Sequence, residues 1–106
     1  MMQYITPPDL NDSFSRVVLG GKEYLLRFTY NDTFGYWSFG IYDLEETPIV
    51  AMTKIVPNSP LTFFYENRDL PSGVFGVITD LEKVGRNDFI NGKAVFVFIP
   101  YEDLKE

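Results

Sequence analysis

Cysteine and histidine are both missing from this 106-residue chain. Without thiols there is no disulfide framework, no thiolate nucleophile and no cysteine zinc site. Without imidazole there is no Ser-His-Asp triad, no histidine base and no ordinary transition-metal ligand set. An enzyme of this composition would have to run on carboxylates, lysine or tyrosine. Cations are scarce as well: nine Lys and Arg stand against fifteen Asp and Glu, for a net charge of −6. They are scattered from Arg16 to Lys105, about one per segment. Counterion release from phosphates needs clustered cations, so neither nucleic acid nor an anionic membrane is an expected partner. Long apolar runs are lacking too, since Ala94 to Pro100 falls far short of a bilayer span. Met1 to Pro8 has neither the cationic start nor the apolar stretch of a signal peptide. The two sequons, at Asn11 and Asn31, therefore read as chance, and folding in a cytoplasm is expected.

Aromatic residues are abundant, with ten Phe, seven Tyr and one Trp. Each can bury about 150–250 Å², enough for one core and one domain spanning residues 1–106. The pattern is of short alternating segments punctuated by turn residues, the signature of β structure. Gln3 to Thr6 is β-prone and closed by Pro7-Pro8. Ser13 to Leu19 stops at Gly20-Gly21, where positive φ costs little. Glu23 to Asn31 follows at hairpin distance, with Tyr24, Leu26, Phe28 and Tyr30 on one face. After the turn at Asn31 to Gly35, Tyr36 to Asp43 places Trp37, Phe39 and Ile41 on one face. Tyr24, Leu26, Phe28, Trp37, Phe39 and Ile41 are the expected core of a meander of two hairpins.

The second half is less regular. Ile49 to Val56 and Val74 to Thr79 are β-prone. Leu61 to Arg68 fits one or two helical turns, with Pro60 at the first helical position, and equally fits a strand. Asn91-Gly92 is a type I′ hairpin signal, and Ala94 to Ile99 is apolar at every position. The expected architecture is all-β, a single sandwich or small barrel of about seven mostly antiparallel strands, with at most one short helix.

The sequence contains no recognisable catalytic or metal-binding constellation. Asp43, Glu45 and Glu46 share one turn, and Asp80, Glu82 and Asp88 another, but neither has the spacing of a calcium loop. Paired carboxylates for glycoside cleavage would need to face each other across a cleft, which the spacing does not indicate. Leu19-Gly20-Gly21-Lys22 opens no helix and has no phosphate-loop continuation. No catalytic, metal-binding or cofactor-binding residues are assigned, and no cofactor is expected. Two features point instead to surfaces. In the closing strand Ala94, Phe96 and Phe98 fill one face while Val95, Val97 and Ile99 fill the other, although a sandwich strand ordinarily wets one face. Phe63, Phe64 and Tyr65 are consecutive, so they cannot all point inward from a strand. The second face of the closing strand is either covered, by the Leu61 to Tyr65 segment or by barrel closure, or left as a contact surface; on the latter reading these six residues, Phe63, Phe64, Tyr65, Val95, Val97 and Ile99, are the candidate interface. An alternative is a carbohydrate-binding module that stacks sugars on Tyr36, Tyr42 or Tyr65.

The run from Ser13 through the Gly20-Gly21 hairpin to Asn31, followed by Gly35-Tyr36-Trp37-Ser38-Phe39-Gly40-Ile41-Tyr42-Asp43, resembles the baseplate plug proteins of contractile-tailed bacteriophages and prophages. Pro48 to Ala51, Leu70 to Phe75, Asp80 and the strand Ala94 to Pro100 continue the likeness across almost the whole chain. The resemblance implies a non-enzymatic virion component, located near the distal tube and hub channel of the tail. It implies tube and hub proteins as partners, further copies of the chain in a homo-oligomer, and assembly in the host cytoplasm.

Overall fold

The computed structural model describes residues 2–57 and 73–100, with Ala51 described by its backbone only. Among these residues there is no helix. Seven strands run in chain order: β1 (Gln3–Ile5), β2 (Asp12–Leu19), β3 (Lys22–Asn31), β4 (Tyr36–Tyr42), β5 (Pro48–Lys54), β6 (Gly73–Thr79) and β7 (Ala94–Pro100). The expected helical turns over Leu61 to Arg68 lie outside the described residues.

The strands form two antiparallel sheets, a four-stranded one in the order β2-β3-β4-β5 and a three-stranded one in the order β1-β7-β6. The first three strands of the larger sheet are the expected meander. Gly20 and Gly21 both have positive φ, at 61° and 84°, the combination a two-residue type I′ loop requires, and Leu19 pairs with Lys22 across it. The β4–β5 ladder slips twice, between Phe39 and Ile41 and again between Ile41 and Tyr42. Gly40 sits at this irregularity. A Cβ there would fall 2.7 Å from Met52 Sδ and 3.2 Å from the Val50 carbonyl oxygen, so any side chain would have to displace Met52 and crowd the backbone of the bulged strand.

Phenylalanine joins the sheets into a sandwich. Phe28 of β3 and Phe39 of β4 meet Phe96 of β7 edge-on, at 5.2 and 5.1 Å between ring centres, and Phe39 also lies 5.2 Å from Phe75 of β6. Edge-to-face pairs at this spacing add about 0.5–1.5 kcal/mol beyond the area they bury. Tyr24, Leu26, Phe28, Trp37, Phe39 and Ile41 are all buried in this layer. One end of the sandwich is closed by Ile55, Val84 and Phe89, and the Trp37 indole donates its N–H to the Gly85 carbonyl at 3.1 Å.

Asn91-Gly92 does not form the two-residue hairpin that its composition indicates. Gly92 has φ 76°, but Asn91 does not have positive φ, and type I′ needs both. The pair ends a longer loop between β6 and β7. Asn91 N–H donates to the Asn87 carbonyl, and the N–H groups of Lys93 and Ala94 both donate to that of Asp88. The turn is therefore coiled, and Gly92 releases the chain from it into β7.

Candidate interaction surfaces

The acidic turns are fasteners of their own loops. Asp43 Oδ1 accepts the N–H groups of Glu45 and Thr47, both at 2.9 Å, while Glu46 takes positive φ at the tip. Asp88 accepts the Gly85 N–H. Among the described residues no group of three or more Asp or Glu converges as a metal site would need.

The outer face of the larger sheet carries a tied cluster. Arg27 grips Asp12 with two parallel hydrogen bonds, Nε to Oδ1 at 2.9 Å and Nη2 to Oδ2 at 2.8 Å. Its guanidinium also lies 5.8 Å from the centre of the Phe14 ring. The Asp12 carboxyl is held below its ordinary value, chiefly by the hydrogen bonds from Arg27, and the guanidinium pKa is raised in return. Tyr42 lies under this cluster, 8% exposed, with the Phe14 ring edge-on at 5.1 Å. This corrects its place in the carbohydrate reading, because a sugar needs an open ring face. Tyr36 is half-buried with the Lys54 ammonium 4.8 Å from its ring centre. Tyr65 lies outside the described residues.

The outer face of the smaller sheet holds the other expected contact residues. Val95 and Ile99 are half-buried there, whereas Val97 is 1% exposed. That removes Val97 from any contact surface the chain presents in this conformation. β7 is the middle strand, and of the three only Val97 is paired with a described strand on each side, with Tyr4 of β1 and Gly76 of β6. The exposed apolar area on this face comes from Tyr4 and Ile78, on the flanking strands. The parity of β6 would have identified Ile78, which is out of phase with the core residues Phe75 and Val77. Phe63, Phe64 and Tyr65 lie outside the described residues.

A further feature is the β3–β4 hairpin tip. Asn31 Oδ1 accepts the N–H groups of Thr33 and Phe34 at 2.9 and 3.0 Å, and the Asn31 carbonyl accepts that of Gly35 at 2.7 Å. Lys83 donates to the Phe34 carbonyl at 3.0 Å, and Asn11 donates to Asp32 at 3.1 Å. Arg86 ties this end together, bonding Asn11, lying 2.9 Å from Asp9 and stacking 5.5 Å from the Trp37 ring. On this fixed backbone the Phe34 side chain is 70% exposed. Sequence reading missed it, although a phenylalanine inside a turn of polar residues is itself a signal.

Among the described residues, Tyr4, Phe34 and Ile78 are exposed apolar side chains on these surfaces, while Asp43 and Asp88 are engaged in their own turns. The chain matches, over residues 2–102, the model of a protein family described as cyanophage baseplate Pam3 plug gp18. No curated protein is similar enough to count as a match. A match over nearly the whole chain, on an all-β sandwich, shows that this protein belongs to that family of phage baseplate plug proteins.

Proposed function

We propose that the chain is a non-enzymatic structural component of a phage or prophage tail, organising or closing the distal tube and hub channel through protein–protein contacts. The family match over residues 2–102 carries this reading. Family membership implies a place in the tail baseplate and contact with other baseplate proteins. The finer parts are our reading: tube and hub proteins as direct partners, several copies of the chain, and assembly in the host cytoplasm. Phe63, Phe64, Tyr65, Val95 and Ile99 are the proposed contact residues on the partner side. Support comes from the apolar outer face of the smaller sheet, where Tyr4 and Ile78 stay exposed beside Val95 and Ile99. Isolated apolar side chains on a surface are ordinary, but a contiguous set on one sheet face marks an interface.

The test is capture by the purified tube and hub proteins encoded with the chain. Binding that Ile78→Lys or Phe64→Ser weakens supports the reading. A chain that captures neither protein, and whose loss leaves tails complete and infectious, contradicts it.

A further inference from the structure

Phe34 stands beside a depression of about 260 Å³ whose lining includes Tyr36, Lys54, Val56, Glu82, Lys83 and Val84. Lys83 separates the two: its ammonium holds the Phe34 carbonyl and its side chain forms one wall. The protruding ring does not fill the depression of its own chain, since it remains 70% exposed. Cavities of roughly 150 Å³ lined by apolar side chains accept a benzene ring, so the space is adequate for a phenyl group.

We propose that the hairpin tip and this depression form a self-complementary contact between two copies of the chain, with Phe34 of each copy seated between Tyr36, Val56 and Val84 of the other. Three observations lead to a second copy as the occupant. Knob and socket lie side by side on one end of the molecule, so a two-fold axis between them lets both insert at once. Their charges are complementary: Asp32 flanks the knob and has no cationic partner among the described residues, while Lys54 and Lys83 line the socket against the single carboxylate of Glu82. The knob is also pre-organised, because the hydrogen bonds from Thr33, Phe34, Gly35 and Lys83 fix its backbone. Little ordering entropy is then lost when the contact forms. A large side chain that enters a desolvated pocket of its partner is the form in which binding energy concentrates at interfaces. The inference deepens the homo-oligomer part of the proposed function and rests on it.

Light scattering and sedimentation of the full chain across the micromolar range test it. The wild type should show a dimer. Phe34→Ala should weaken dimerisation roughly tenfold or more while leaving the melting curve unchanged at concentrations dilute enough for both proteins to be monomeric, because an exposed ring contributes little to the monomer and the dimer adds stability only where it forms. Asp32→Lys and Lys54→Asp should each weaken the dimer, and the double variant should restore it. A monomeric wild type, a Phe34→Ala protein that dimerises like wild type, or a double variant no better than the singles would overturn the proposal. Failure here is distinct from failure of the plug reading. A monomer that is still recovered in purified baseplates overturns only the dimer, and a dimer absent from tails overturns only the plug.

Discussion

Trp37 concentrates several interactions in one side chain. Its ring packs against Tyr30 and Phe89 at 5.2 and 5.8 Å, Arg86 covers it, and its indole N–H is bonded to Gly85. Trp37→Ala should therefore destabilise the chain by about 3–5 kcal/mol, a large share of the stability of a small domain. Denaturant unfolding measures this, and a midpoint equal to wild type would contradict the packing described. Asp12 acts on a smaller scale. Its carboxyl is held below the ordinary value of 3.8 by Arg27, so its contribution is fully present above that value and is lost as pH falls through the depressed one. The pair is largely exposed, which limits it to roughly 0–1 kcal/mol. Asp12→Asn should lower stability slightly at neutral pH and converge with wild type in acid. A difference that persists below pH ~2 would show that something other than the ion pair is responsible.

At the scale of elements, β3 and β4 were legible because each alternates with period two and each faces the other sheet. Tyr24, Leu26, Phe28, Trp37, Phe39 and Ile41 follow from parity alone. The loops were not legible in the same way. Asn91-Gly92 has hairpin composition, yet the Asp88 carbonyl and the coil from Asn87 decide its form, and such contacts carry no periodic trace. Val97 shows a different limit: apolar residues on both faces of β7 fit a covered face and a contact surface equally well, and only the folded structure shows Val97 buried on the middle strand. Two glycines carry element-level predictions. Gly21→Ala should cost about 1–2 kcal/mol through its left-handed backbone alone. Gly40→Ala should cost about 1–3 kcal/mol by displacing the Met52 side chain and crowding the Val50 carbonyl of the bulged β5. Thermal melts of the two variants check both, and a Gly40→Ala protein as stable as wild type would mean that the bulge relaxes freely.

At the scale of the whole molecule, the sandwich presents two kinds of surface suited to an assembly. One is the apolar outer face of the smaller sheet; the other is the end that carries Phe34, the polar ties around Arg86 and the adjoining depression. Composition points to surfaces, because a chain without Cys or His, whose carboxylate clusters lack the spacing of a calcium loop, has few of the side chains that ordinarily serve catalysis. The resemblance in the run from Ser13 to Asp43 indicated which assembly. The proposed contact surfaces were less legible: Phe34 lies in a turn, where side-chain direction has no repeat to reveal it, and Ile78 becomes conspicuous only once β6 is seen flanking β7. The central claim is that this protein is a structural part of a tail baseplate. Cryo-electron microscopy of purified tails tests it most directly. The account predicts density for this two-sheet fold at the distal end, on or beside the channel axis and in contact with tube or hub subunits. Complete baseplates in which that density is absent would contradict it.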